Sequence, residues 1–110
     1  MNEHDARATP RKKLNNRANV VLADGKSFAG RTVDISQGGI SIVLQEPIAA
    51  AQSCIILLEL FAGDRVRQFN APARVVYSIC SGTAGFRIGF QFINLSPTNV
   101  EILNALFMIS

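Results

Sequence analysis

The run Phe86-Arg87-Ile88-Gly89-Phe90-Gln91-Phe92 puts an apolar side chain at every second position. Successive side chains of a strand point to opposite faces, so this spacing buries one face of a sheet. A helix would scatter the same residues around its circumference. The pattern recurs in weaker form along the chain. Ile40, Ile42 and Leu44 alternate with Ser41 and Val43, Cys54 to Phe61 is a dense apolar run of strand length, and Ala73 to Cys80 contains Val75, Val76, Tyr77 and Ile79. Asp24-Gly25 follows Val20-Val21-Leu22 and marks a two-residue hairpin in which both turn positions take positive φ. Ser27 to Ile35 reads as the return strand, with Phe28, Gly30, Thr32 and Asp34 on one side and Ala29, Arg31, Val33 and Ile35 on the other. Ser36 to Gly39, Ala62-Gly63-Asp64 and Ser81-Gly82-Thr83 are further turns, and Arg65 to Ala71 reads as a strand returning from the second of them.

The end of the chain changes period. Ser96-Pro97 is a helix start, with a serine N-cap and a proline where the missing N–H costs nothing. Val100, Leu103, Leu106 and Phe107 then fall at helical spacing. Six or seven short strands at regular spacing imply an all-β, antiparallel barrel, closed or nearly so, with one C-terminal α-helix from about residue 97. The 110 residues are 48% hydrophobic, enough for one core and one domain. The expected division is a flexible basic arm over 1–16 and a single barrel domain over 17–110.

The net charge of +3 is placed unevenly. Residues 1–17 hold Arg7, Arg11, Lys12, Lys13 and Arg17 against Glu3 and Asp5, which is 5 minus 2, and the six basic and six acidic residues of 18–110 cancel. A uniformly basic coat for long nucleic acid is therefore excluded. The single histidine, His4, lies in the arm, where no scaffold would place it for catalysis. Cys54 and Cys80 sit in apolar runs and read as buried free thiols, no Cys/His set has zinc spacing, and the apolar run Ile48 to Ala62 is interrupted by Gln52, Ser53 and Glu59. The expectation is a non-catalytic, cytoplasmic protein without cofactor, metal or membrane span.

Two features carry recognition chemistry. One is the basic cluster Arg11-Lys12-Lys13-Leu14-Asn15-Asn16-Arg17, and the other is the strand end Asp34-Ile35-Ser36-Gln37-Gly38-Gly39. Taken alone, the first is a solvated leader and the second a common glycine turn. Together they suit a guanine nucleotide. Guanidinium groups bind phosphate and the O6/N7 edge of guanine, a carboxylate such as Asp34 accepts from N1–H and N2–H₂, and Ser36 with the backbone N–H groups of Gly38 and Gly39 suits a closely approaching phosphate or ring edge.

An R-x-x-x-R element followed by D-x-S-x-x-G (Asp34, Ser36, Gly39), with Phe86 to Phe92 as the last barrel strand, resembles the PilZ domain over roughly residues 10–107. The resemblance implies a receptor for the bacterial second messenger cyclic di-GMP, bound on the outside of a six-stranded barrel. It departs from the family at Lys13-Leu14-Asn15-Asn16-Arg17, where lysine stands for the first arginine and Arg11 lies two residues earlier. The implied binding residues are Arg17 with Arg11 or Lys13, together with Asp34, Ser36, Gly38 and Gly39, and Arg31 on the neighbouring strand as an added contact. Ordering of the arm by the ligand would then regulate an effector protein. The alternatives are a degenerate PilZ module that binds protein partners without the nucleotide, and a small-barrel nucleic-acid binder.

Overall fold

The computed structural model describes residues 10–108. In chain order the strands are β1 (Arg11–Lys13), β2 (Arg17–Leu22), β3 (Ser27–Ser36), β4 (Gly39–Leu44), β5 (Ser53–Ala62), β6 (Arg65–Cys80) and β7 (Phe86–Phe92). One helix, α1 (Pro97–Met108), follows. The neighbour order β3-β2-β5-β6-β7-β4 returns to β3, which closes a six-stranded antiparallel barrel. The seventh strand, β1, lies against the end of β3. Inward residues of every strand fill the interior, among them Val20, Ile35, Ile42, Ile56, Leu60, Phe69 and Ile88, all fully buried. Phe92 meets Phe69 edge-on at 5.4 Å between ring centroids.

The turns differ from the expected types in instructive ways. At the first hairpin only Gly25 has positive φ, +94°. Gly25 N–H donates to the Leu22 carbonyl and Leu22 N–H to the Lys26 carbonyl, which makes a three-residue loop closed by a left-handed glycine. Arg65–Cys80 is one strand of 16 residues rather than two. It runs through Pro72 where it changes neighbours, since pairing with β5 extends to Arg74 and pairing with β7 begins at Ala73. Proline removes one N–H from a ladder, and a strand exchanging partners tolerates that loss.

Helix α1 begins as its sequence specifies, with Ser96 Oγ accepting from Asn99 N–H at 3.1 Å. Its buried face is Asn99, Ile102, Leu103 and Leu106, packed towards β5 and β6. Val100 is exposed, so the stripe is rotated from the expected one. The buried Asn99 amide donates to the Asn70 carbonyl at 2.6 Å, which fixes the helix to β6.

The arm joins the sheet earlier than expected. Arg11–Lys13 is already strand, and Leu14 N–H donates to the Val33 carbonyl. Residues 1–9, including His4 and Arg7, lie outside the described residues.

Strands β3 and β4 fall out of step between Thr32 and Asp34, which leaves Val33 as an extra residue. Thr32 and Ile35 both face inward, three positions apart, and Asp34 is turned outward. The same device acts in β6 between Val75 and Tyr77. These two shifts correct the expected facing of β3 and set the outer surface.

The paired glycines of the β3–β4 turn have separate tasks. Neither has positive φ. A Cβ on Gly39 would lie 2.2 Å from the Phe90 carbonyl oxygen, whereas one on Gly38 would meet nothing within 4 Å. Gly39→Ala is expected to cost about 1–3 kcal/mol by forcing β4 off β7. Gly38→Ala should stay within about 0.5 kcal/mol of wild type. Urea denaturation of both variants checks the contrast, and equal stabilities would contradict it.

Candidate functional site

Strand register aligns one row of outward positions across five strands. Lys13 pairs with Asp34, Asp34 with Ser41, Ser41 with Gly89, and Gly89 with Tyr77. Paired residues share a face, so these side chains form a continuous strip on the outside of the barrel. Both register shifts are needed for it, because strict alternation would turn Asp34 and Tyr77 inward with Thr32 and Val75. The Tyr77 ring lies flat over Gly89, where a Cβ would sit 2.1 Å from its Cε2. Its hydroxyl is 3.1 Å from Ser41 Oγ. Tyr77 thereby covers Ser41, which is buried although it faces outward.

Asp34 is the acid of this strip. Arg11 Nη2 donates to Oδ1 at 2.8 Å, and Arg87 Nη2 donates to Oδ2 at 3.3 Å. The Asp34 side chain keeps only 17% of its exposure, against 44% and 41% for the two arginines. Burial on its own would raise the Asp34 carboxyl. The Arg11 hydrogen bond and charge, the Ser41 hydroxyl and the Arg87 charge outweigh it and hold the group below the ordinary carboxylate range. Arg11 is raised in turn, chiefly by its bond to Asp34.

The remaining expected site residues are placed as follows. Ser36 is buried, and its hydroxyl accepts from Gly38 N–H at 3.2 Å and Gly39 N–H at 3.1 Å. Those amides are therefore not bare groups waiting for a phosphate. Ser36 braces the turn through these two bonds. Gln37, at the tip, donates to Asn104 Oδ1 at 2.9 Å and ties the turn to α1. Arg11, Ser36, Gly38, Ser41, Tyr77 and Gly89 line an open groove of about 410 Å³. That falls within the range of small-ligand clefts, roughly 300–1,000 Å³.

Arg17 and Arg31 do not join Asp34. They are cross-strand partners in the next outward row, which continues through Val43 to Arg87 and Ile79. They line a separate concavity with Asn19 and Gln45, and Arg31 reaches Asn15 oxygens at 3.4 Å. Lys13 is exposed and lies opposite Asp34 in register. Sequence reasoning missed Arg87 and Tyr77. Both sit in readable strands; register puts Tyr77 in the Asp34 row and Arg87 in the adjoining one, from which its side chain reaches Asp34. Arg7-Ala8-Thr9-Pro10-Arg11 also has the R-x-x-x-R spacing, and Arg11 is the arginine that the structure places at Asp34. Cys54 is buried, with its thiol pushed up to about 11 by burial, but Cys80 is exposed, contrary to expectation.

Comparison with known proteins agrees with this geometry. The profile of the PilZ domain matches residues 5–108, and the chain belongs to that family. Solved structures share the fold at low identity. The inhibitor of motility MotI/DgrA of Bacillus subtilis superposes with a TM-score of 0.76 at 15% identity, over 92% of this chain and 48% of that one. This chain thus spans about half the length of MotI. The PilZ domain of YcgR from Escherichia coli, solved with c-di-GMP, gives 0.62 at 20% identity over 91% and 87%. The PilZ domain of CeSA from a cellulose-synthesizing bacterium gives 0.64 at 19% over 90% and 95%. No curated protein matches the chain. Among the described residues no helix is long and apolar enough to cross a membrane.

The lowered Asp34 value has a sign that can be measured. Unfolded, the group titrates near pH 4. Its contribution to stability is full above that pH and is lost as the pH falls through the lower folded value. The stability difference between wild type and Asp34→Asn should be constant from pH 7 to about 5 and shrink below 4. Denaturant melts across this range check it, and a difference that stays constant to pH 3 would contradict it.

Proposed function

We propose that this PilZ domain is a non-catalytic receptor for cyclic di-GMP and that it signals through a partner protein. The observation that carries the reading is the outward carboxylate of Asp34, ion-paired to Arg11, which lines a small-ligand groove. A carboxylate facing out of a barrel between arginines can accept from the N1–H and N2–H₂ edge of guanine. Arg11, once released, can take a phosphate or stack on the base. Arg7 supplies the second guanidinium in the R-x-x-x-R spacing. Ser36 and Gly39 act one step back, by shaping the turn that carries Asp34 to the groove. Arg17 and Arg31 supply positive potential from the adjoining row.

Ligand binding then has a structural consequence. Arg11 leads β1, so engaging it fixes the chain that precedes the barrel. A surface made of that segment and the ligand is what an effector would read, a population shift from an open to a docked leader. The reading includes a bacterial, cytoplasmic setting. A second reading has a specific observation behind it, since both Asp34 oxygens already have protein donors. On that reading the domain binds protein partners without the nucleotide.

Calorimetric titration with cyclic di-GMP separates the two. Arg11→Ala and Asp34→Ala should each lose about 1–3 kcal/mol, a factor of roughly 5–150. Lys13→Arg should leave affinity unchanged, because Arg11 rather than Lys13 holds Asp34. Tyr77 is the sole tyrosine in a chain without tryptophan, so its emission gives an independent binding signal. No heat and no change in emission with wild type would favour the nucleotide-free module. Wild-type affinity in both alanine variants would overturn the site.

A further inference from the structure

Among the described residues, Arg87 Nε is the one side-chain polar atom that is fully buried without a hydrogen-bond partner. Such an orphan is costly, because a buried donor forfeits its water and gains nothing in return. The geometry around it is specific. In a guanidinium, Nε–H and Nη2–H lie on one edge and point the same way, which is the fork that grips a carboxylate through two parallel bonds. Arg87 Nη2 already donates to Asp34 Oδ2, at a long 3.3 Å. Only the Nε half of the fork is unfilled. The other carboxylate oxygen, Oδ1, is held by the shorter bond from Arg11 at 2.8 Å. The two arginines also differ in how they are held. Arg11 stands on a three-residue strand near the chain start, and Arg87 stands in the middle of the barrel on β7, between Val43 and Ile79.

We propose that Arg87 is the positioning residue that takes over Asp34 when Arg11 leaves it for the ligand. The inference rests on the reading of this groove as a cyclic di-GMP site and adds how that site exchanges its ion pairs. Without such a takeover, moving Arg11 onto a phosphate would leave a largely buried carboxylate with only the long bond from Arg87, which is unfavourable. With it, Asp34 turns into the Arg87 fork and satisfies the orphan Nε–H. Each carboxylate oxygen keeps a lone pair for the guanine edge. The groups facing Asp34 are Arg11 and Lys13 from β1, Ser41 from β4, Arg87 from β7, and Tyr77 from β6 beside Ser41. Arg87 is the cation among them that belongs to the barrel wall.

The exchange can be tested without ligand, because Arg11→Ala mimics the departure of Arg11. Carbon-13 NMR titration of the Asp34 carboxyl reads the result directly. In Arg11→Ala the carboxyl should stay below the ordinary aspartate value, with the Arg87 Nε resonance shifted as its bond forms. In Arg11→Ala/Arg87→Met it should rise to or above that value, since burial is then opposed by neither arginine. An ordinary or raised value in Arg11→Ala alone overturns the takeover. Calorimetry supplies the second arm. Arg87→Met should bind cyclic di-GMP roughly 5- to 30-fold more weakly, losing affinity at a higher pH on acidification than wild type. Arg87→Lys should fall between, as a charge without a fork. Unchanged or tighter binding by Arg87→Met overturns the inference. Wild type failing to bind overturns only the nucleotide reading, and the carboxyl titration still decides the role of Arg87.

Discussion

One extra residue in β3 decides what the outer surface of this barrel can do. Without the register shift at Val33, Asp34 would follow Thr32 into an interior filled by isoleucine, leucine and phenylalanine. A carboxylate there would lack counter-ions and cost several kcal/mol. The shift instead turns Asp34 outward and returns Ile35 to the core. The backbone freed by the irregularity is not left unpaired. Leu14 takes the Val33 carbonyl, and Thr32 N–H donates to the Asn16 carbonyl. The same bonds lay the incoming chain along β3 and bring Arg11 to the carboxylate. The bulge, the docking of β1 and the ion pair thus support one another.

The architecture was legible because barrels write themselves in period 2. The β7 alternation, the Gly63-Asp64 hairpin and the Ser96-Pro97 helix start all correspond to elements of the structure. What failed were features that no local pattern encodes. Pro72 reads as a break, yet a strand that changes neighbours there continues through it. A bulge leaves no composition signal, so the facing of Asp34 and Tyr77 could not be deduced. Ser36 looked like a ligand contact because a hydroxyl beside glycines suits either role. In the structure its hydroxyl braces the turn through two amide donors. The site was legible as a region, since Asp34 and Arg11 were both singled out. Arg17 was named with Arg11 or Lys13, and of these it is Arg11 that bonds Asp34, while Arg87 had no motif to mark it.

The charge distribution also reads differently in three dimensions. Residues 18–110 are neutral by count, but strand register gathers Arg31 and Arg87 into one outward row with Arg17, next to the row that holds Asp34. A neutral total therefore conceals a row of three arginines beside the row that holds Asp34. Such a row raises the local positive potential next to the carboxylate. The acid supplies what a purely basic patch lacks, an acceptor that distinguishes a guanine edge from phosphate alone.

The proposed recognition surface is the strip running from β1 to Tyr77. The most direct measurement is a map of backbone amide shifts in ¹H–¹⁵N spectra during titration with cyclic di-GMP. The largest changes should fall at Arg11, Asp34, Ser41, Gly89 and Tyr77, with smaller ones at Arg31 and none on β5. Changes centred on α1 or on the β5–β6 hairpin, with the Asp34 strip silent, would contradict it.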